Sequence, residues 1–285
     1  MSMILGVVLL MFLVRALAPV PATATTALET QQEYLERVRR DLRAGQTVEL
    51  YGDTGIPRYY KWQLGAAVFG ASPTGDTSCY YETLTHGLLE LFDNPGVDRY
   101  RIHLEIRQVQ RIAQLGNGAQ SVDQFCGLYF GHTYTGRTGG VGADAMFAVT
   151  FLDVRSAQPH KVLFQTILCG RDPGGFSAWT RSRFAECEYD PSPMLPGPWR
   201  SIDVVVAPDQ IRAFWEKGGE FEEIGGSRKF VPAKKYAEIP ELIPRVIKGN
   251  NPGILIPAWK SKAAFGVFTN QCAVCIKNIR VEPLQ

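Results

Sequence analysis

The sequence lacks an excess of charge of either sign, and this balance argues against one class of function. It has 30 Lys and Arg residues against 28 Asp and Glu residues, so the formal net charge is only +2. Nucleic-acid-binding proteins usually concentrate basic residues on one face. No long run of one charge is present either. We therefore expect no nucleic-acid partner.

The common catalytic and cofactor-binding motifs are also missing. No nucleophile elbow, P-loop or dinucleotide fingerprint occurs, and residues 139–142 (Gly-Gly-Val-Gly) lack the strand-to-helix context of a phosphate loop. Cys272 and Cys275 have C-x-x-C spacing, but zinc would need a second ligand pair and a redox pair would need a helix N-terminus. We predict no cofactor and no catalytic metal, with structural calcium as an alternative at the acidic residues 186–190.

The longest apolar run at the N-terminus is short. It extends from Ile4 to Val14, whereas a membrane span needs roughly 20 apolar residues. Residues Ala22-Thr23-Ala24 then give the small-x-small pattern of a signal cleavage site. We interpret residues 1–24 as a secretory signal. Because Arg15 follows the run and no basic residue precedes it, an uncleaved membrane anchor and a buried strand remain alternatives.

This leader predicts a secreted, periplasmic or cell-surface protein that meets the membrane only through its N-terminal segment. In such a compartment, cysteines can form disulfides. The sequence has six cysteines, and six allow 15 complete pairings. Spacing does not choose among these pairings, and buried free thiols are the other alternative. The six are Cys79, Cys126, Cys169, Cys187, Cys272 and Cys275.

A single helical pattern follows the leader, within residues 25–46. Apolar side chains at Tyr34, Leu35, Val38 and Leu42 recur at helical spacing with charged residues between them. The pattern predicts one helix over residues 28–44, with Gly45 able to end it.

Residues 47–285 have instead the pattern of short strands separated by turns. The segment from Tyr100 to Val109 alternates apolar and polar residues, which is typical of a half-buried antiparallel strand. Residues 264–269 and 273–281 are interpreted as the last strand pair. Two glycine-rich stretches, residues 131–142 and 170–175, are interpreted as loops, the second together with the proline-rich residues 190–198. The other predicted strands are 47–51, 59–64, 87–92, 125–131, 145–154, 161–169, 201–206 and 210–215.

Four segments of the chain resemble the concanavalin A-like lectin/glucanase superfamily, in particular its laminin-G-like and 3-keto-disaccharide hydrolase domains. These segments are Pro198 to Val206, Asp209 to Trp215, Phe265 to Phe268 and Ile276 to Leu284. The resemblance covers roughly residues 47–284. It implies an all-β fold, a two-sheet antiparallel jelly-roll sandwich preceded by the one N-terminal helix. It also implies a carbohydrate or glycan partner.

Candidate ligand-binding residues gather around the glycine-rich stretches. Trp179 could stack on a sugar ring, and arginines beside it could donate to hydroxyl or carboxylate groups. A polar strand face and a histidine at a strand end are further candidates. The predicted ligand-binding residues are Trp179, Arg181, Arg171, His132, Tyr134 and Glu105.

Catalytic residues are much less clear. Retaining glycosidases place two carboxylates close together, and the nearest match is Glu186 with Glu188, with His132 as a candidate acid or base. The first hypothesis is an exported carbohydrate-recognising jelly roll without assured catalysis. A glycoside-processing enzyme and a structural or adhesion domain at the cell surface are the alternatives.

Overall fold

A computed structural model describes most of the chain beyond the leader. The predicted signal or anchor, residues 1–24, lies outside the described part. Within that part, no helix is both long enough and apolar enough to cross a bilayer. The described residues are 29–51, 55–65, 67–112, 125–138, 141–153, 160–172, 175–226, 230–243, 256 and 258–285.

The described residues form two helices, one 3-10 turn and fifteen strands. The helices are α1 (Gln31–Arg43) and α2 (Pro232–Tyr236), and the 3-10 turn is Ile239–Leu242. The strands are β1 (Val48–Glu49), β2 (Lys61–Leu64), β3 (Ala67–Ala71), β4 (Cys79–Thr83), β5 (His86–Phe92), β6 (Tyr100–Arg111), β7 (Phe125–Thr138), β8 (Val141–Phe151), β9 (Lys161–Asp172), β10 (Gly175–Glu188), β11 (Arg200–Val206), β12 (Ile211–Lys217), β13 (Glu220–Glu223), β14 (Ala264–Asn270) and β15 (Cys272–Pro283).

The strands build two antiparallel sheets that pack face to face. The eight-stranded sheet has the order β13-β12-β11-β6-β15-β4-β3, with β1 paired to β15, and the seven-stranded sheet has the order β10-β9-β8-β7-β14-β5-β2. Apolar residues from both inner faces, among them Leu104, Phe147 and Val274, fill the main core. The predicted all-β, two-sheet jelly-roll sandwich is confirmed by this arrangement.

The predicted N-terminal helix is confirmed and packs on the sandwich. Thr30 caps α1: the Glu33 backbone N–H donates to its Oγ1 at 3.2 Å, and its own N–H donates to the Glu33 carboxylate at 2.8 Å. This reciprocal capping box satisfies donors that a helix end leaves unpaired. The apolar face of α1, which includes Val38 and Leu42, lies in the main core.

The last two strands do not pair with each other, contrary to the sequence interpretation. β14 pairs with β5 and β7 in one sheet, whereas β15 pairs with β4, β6 and β1 in the other. Gln271, between them, has a φ of +54°. A left-handed residue there turns the chain sharply, so that it crosses from one sheet to the other instead of forming a hairpin.

The two glycine-rich stretches are mostly strand rather than loop. β7 continues through Gly131 to Thr138, and β8 begins at Val141. Likewise β9 runs to Asp172 and β10 begins at Gly175, so Trp179 lies on a strand. Long hairpins therefore extend at these two stretches, whereas residues 190–198 form a loop as expected.

Candidate ligand-binding face

The seven-stranded sheet has a buried outer side. We call the side turned away from the main core the covered face; it carries Tyr129, Met146, Ile167, Cys169 and Phe268. All five side chains are completely buried and belong to a second apolar cluster, separate from the main core. A solvated outer side would expose polar residues in an antiparallel sheet, so part of the molecule must lie over this one.

The β9–β10 hairpin supplies part of that cover. Trp179 on β10 pairs in register with Cys169 on β9, and Cys169 pairs with Asp144 on β8. The centroid of the Trp179 ring nevertheless lies 5.1 Å from that of the His86 ring on β5. In a flat sheet, β10 and β5 would be about 24 Å apart, since neighbouring strands lie about 4.8 Å apart. The sheet therefore curls until β10 comes back over β5 and β14.

Register shifts mark places where the strands can bend. One lies between Phe130 and Thr133 on β7, and another between Arg183 and Ala185 on β10. Such β-bulges kink a strand and increase its twist. The guanidinium carbon of Arg181 on β10 lies 4.3 Å from the ring centroid of Phe125, the first residue of β7. Phe125 is at the end of β7 that is far from the β7–β8 turn.

A buried carboxylate organises the end of the covered face near the β7–β8 turn. Asp144 has 0% of its surface exposed. One of its oxygens lies 2.8 Å from His132 Nε2 and accepts a hydrogen bond from Arg171 Nη2 at 2.6 Å. Its other oxygen accepts from Arg171 Nε. The charge is thus compensated on both oxygens, as a buried carboxylate requires.

Tyr134 lies beside this cluster and is the exposed part of it. Tyr134 pairs with Asp144 across the strands, and its ring centroid lies 4.7 Å from the Arg171 guanidinium carbon. The ring passes close to Gly142, where an added Cβ would lie 2.8 Å from the Tyr134 hydroxyl oxygen. Because 41% of Tyr134 is exposed, the glycine and the arginine hold a solvent-facing aromatic ring in place.

Five of the six predicted ligand-binding residues lie on the covered face, in two groups. His132, Tyr134 and Arg171 surround Asp144. Trp179 and Arg181 lie over the apolar part of the face, where the Trp179 ring also contacts Phe125 and Phe268. The structure thus brings three predicted residues together around an acid that the sequence interpretation missed.

The sixth predicted ligand-binding residue, Glu105, lies elsewhere. It belongs to the outer side of the eight-stranded sheet, which we call the charged face and which carries Arg101, His103, Glu105 and Arg107 of β6. Lys277 Nζ lies 3.2 Å from one Glu105 oxygen, and Asn278 Nδ2 donates to the other at 2.6 Å. Glu105 therefore stabilises pairing between β6 and β15 and is remote from Tyr134.

Glu186 and Glu188 lie two residues apart on β10, which is an edge strand. Glu186 accepts hydrogen bonds from Lys161 Nζ and, at 2.9 Å, from Arg183 Nη1. The hydrogen bond from Lys161 lowers the pKa of Glu186 below its ordinary value. A glycosidase general acid instead needs a raised pKa, so Glu186 fits a surface ion pair better than that role.

Within the part of the chain that the structure describes, two buried polar atoms on the covered face have no hydrogen-bond partner. They are the Tyr129 hydroxyl and Gln165 Oε1, and both residues are completely buried. Gln165 uses its amide nitrogen to donate to Thr150 Oγ1 at 2.7 Å. Burial raises the pKa of Tyr129 well above its ordinary value, so the hydroxyl remains neutral and able to donate.

The apolar sequence around Asp144 could have identified this residue as a buried, paired charge, but arguments from motif spacing did not consider it. From Ala143 to Phe151, β8 is completely buried on both sides, and Asp144 is the only charged residue in that run. A charge in a strand of this kind is expensive unless it is paired. Within the described part of the chain, no group of three or more His, Cys, Asp or Glu residues is placed to hold a metal ion.

Comparisons with known proteins give likenesses of low identity. No family model matches the chain, and no curated protein matches it. Solved structures with similar backbones include the carbohydrate binding module CBM66 from Bacillus subtilis, at 10% identity and a TM-score of 0.38, covering 78% of this chain and 94% of that one.

Two further solved structures are similar at the same level. One is the exoplasmic/lumenal domain of VIP36 in a Ca²⁺/Man3GlcNAc-bound form, at 10% identity and TM-score 0.42, covering 83% of this chain and 88% of that one. The other is domain 4 of AbnA, an extracellular arabinanase from Geobacillus stearothermophilus, at 11% identity and TM-score 0.33, covering 82% and 87%. The fold of this chain rests on its own strand order.

Proposed function

We propose that the chain is an exported carbohydrate-binding domain whose ligand rests on Tyr134 and Arg171. The observation that carries the proposal is the fixed position of the exposed Tyr134 ring. Arg171 stacks on this ring while Asp144 holds the guanidinium through Nε and Nη2. A sugar ring has an apolar face that stacks on an aromatic side chain, with hydroxyl groups at its rim.

Tyr134, Arg171 and Asp144 can together offer a sugar both an aromatic ring for stacking and a hydrogen-bond donor for a hydroxyl group. Asp144 does not use Nη1 of Arg171, so this nitrogen can donate to a hydroxyl oxygen beside the stacked ring. The side chain of Arg171 is 18% exposed, which leaves it partly accessible. Because Asp144 orients the arginine before the ligand arrives, little conformational entropy is lost on binding.

Export is the part of this proposal that rests on the leader, residues 1–24. Catalysis is not part of it, because the predicted carboxylates Glu186 and Glu188 lie on the edge strand β10. Glu186 is already paired with Lys161 and Arg183.

A glycan array with neutral and acidic oligosaccharides, followed by calorimetry on the best ligand, tests the proposal. We expect the unmodified chain to bind, and Tyr134→Ala to bind at least about tenfold more weakly, a loss of about 1.4 kcal/mol. Tyr60→Ala is the matched control, since Tyr60 is 37% exposed and its ring packs against that of Phe69 at a centroid distance of 4.3 Å.

Gly142→Ala gives an independent test of ring placement. The added methyl would lie 2.8 Å from the Tyr134 hydroxyl oxygen and 2.9 Å from the backbone carbonyl oxygen of Thr135, so it should displace both the ring and this part of β7. Affinity should therefore fall although the tyrosine is still present. Gly70→Ala is its control, because nothing lies within 4 Å of a Cβ at Gly70. Absence of any glycan ligand, or equal affinity for Tyr134→Ala, would contradict the proposal and favour a structural or adhesion role.

A further inference from the structure

The two edge strands of the eight-stranded sheet differ in charge. β13 ends the sheet on one side, and three of its four residues are glutamates. β3 ends it on the other side with the sequence Ala-Val-Phe-Gly-Ala, which contains neither a charged residue nor a proline. Edge strands usually carry such residues, because their unpaired backbone groups otherwise pair with a strand of another molecule. β13 therefore has the usual protection against a second sheet, whereas β3 lacks it.

The backbone of β3 offers hydrogen-bonding groups along its outer edge. Within the described part of the chain, β3 pairs only with β4. Directly after β3, the Ser72 N–H donates to the Ser78 carbonyl oxygen at 3.1 Å, so Ser72 directs its backbone groups towards the neighbouring strand. In an antiparallel pair this direction alternates from one residue to the next. The backbone groups of Phe69 and Ala71 therefore point away from the sheet.

The side chains of β3 suit a second copy of the same strand. Phe69 packs against the main core, so its neighbours Val68 and Gly70 point to the charged face. Val68 is 57% exposed, and nothing lies within 4 Å of a Cβ added at Gly70. If two copies pair antiparallel about a twofold axis at Phe69, Val68 of each copy lies opposite Gly70 of the other. Each valine then occupies the space beside a glycine.

We propose that the chain forms a homodimer in which the β3 strands of two copies pair antiparallel and join two eight-stranded sheets into one continuous sheet. A second copy is the occupant that the observations favour, because the uncharged strand matches itself in length, in charge and in the fit of Val68 to Gly70. The same pairing of β13 with itself would bring glutamates close to glutamates, which is destabilising. The dimer does not depend on the proposed sugar binding at Tyr134.

The dimer is expected to be reversible. β3 is only five residues long, so the strands contribute few hydrogen bonds and a small contact area. Interfaces of small area are typical of weak or transient association. We therefore expect a dissociation constant in the micromolar range.

Sedimentation equilibrium of the full chain between about 1 and 200 µM, without any glycan, tests the proposal. The weight-average mass should rise with concentration from that of one chain towards that of two. A mass that remains that of one chain over the whole range would overturn the proposal.

Two variants interrupt the pairing in different ways. Val68→Lys places two lysines near the twofold axis, and Ala71→Pro removes an outward N–H while leaving the bonds to β4 in place. Both positions are exposed, so the melting temperature should change little. Each variant should raise the dissociation constant of the dimer at least about tenfold. If one of them fails to fold, the other decides.

Phe221→Lys on β13 is the matched control, since Phe221 is 46% exposed at the opposite edge of the same sheet. This variant should dimerise as the unmodified chain does. Unchanged dimerisation of Val68→Lys and Ala71→Pro, or loss of the dimer in Phe221→Lys, would show that the copies meet elsewhere and would overturn the proposal.

Discussion

The outer sides of the two sheets differ in how deeply their charged side chains are buried and how these are paired. The charged face balances its charges pair by pair near solvent: Arg101 Nη1 lies 3.5 Å from a Glu282 oxygen, and Lys277 Nζ lies 3.2 Å from a Glu105 oxygen. The covered face is mostly apolar and buried, and its buried acid Asp144 is held by two basic side chains, whereas Glu90, also buried, accepts hydrogen bonds from neutral groups of Tyr59 and Gln63.

This difference shows where binding groups can be placed accurately. Ion pairs close to water are screened, and each contributes little to stability or geometry. A buried carboxylate keeps its partners in fixed positions, because losing either one would leave a charge uncompensated. The covered face can therefore hold Tyr134 and Arg171 in position, whereas the charged face mainly joins neighbouring strands.

The largest expected effect is at Asp144. Asp144→Ala leaves Arg171 and His132 without their shared acceptor, so the free energy of unfolding should fall by about 3–5 kcal/mol. Urea denaturation followed by tryptophan fluorescence measures this value. Asp144→Asn keeps the side-chain shape and separates the loss of charge from the loss of packing. A loss below about 1 kcal/mol for Asp144→Ala would remove the proposed difference between the two faces.

A medium effect is expected when the pH is lowered. Burial on the covered face lowers the pKa of His86 from its ordinary value to about 3. The unfolded chain therefore takes up this proton near pH 6.5, before the folded protein does. Stability from this group is complete above pH 6.5 and is lost progressively as the pH falls toward 3.

Urea denaturation at pH 7 and pH 4.5 should show a loss of about 2–3 kcal/mol from His86. His86→Gln, which removes the titrating group, should flatten this dependence. An unchanged slope in His86→Gln would show that other groups cause the acid sensitivity.

The smallest effect is expected on the charged face. Glu105→Ala removes the contacts to Lys277 and Asn278, yet the Glu105 and Lys277 side chains remain 22% and 29% exposed. The free energy of unfolding should therefore change by less than about 1 kcal/mol. Glycan affinity should not change, because Glu105 is remote from Tyr134. An effect as large as that of Asp144→Ala would contradict the comparison.

Local patterns predicted the individual strands of the charged side well. Tyr100, Ile102, Leu104 and Ile106 of β6 alternate with charged or polar residues, and all four are completely buried in the main core. The strands predicted at residues 201–206 and 210–215 are also observed, as β11 and β12, which pair with each other. Period two is a reliable signal where one side of a strand meets water.

The same reasoning failed where both sides are buried or where glycines are frequent. Gly131 and Gly142 indicated a loop, but both lie within strands. Gly142 is needed because the Tyr134 ring passes over it, and Gly131 because Trp259 packs against it. Glycine in a strand can mark a close approach as well as a turn, and only the packed neighbour tells the two apart.

The sequence by itself determined the all-β class, the single N-terminal helix, the alternating core strands and a set of candidate residues that includes His132, Tyr134 and Arg171. These depend on local periodicity and residue chemistry. Tertiary structure alone decided that these three residues meet at Asp144 and that Glu105 does not join them. Such contacts depend on strand order and on the curl of the seven-stranded sheet, which join residues far apart in sequence.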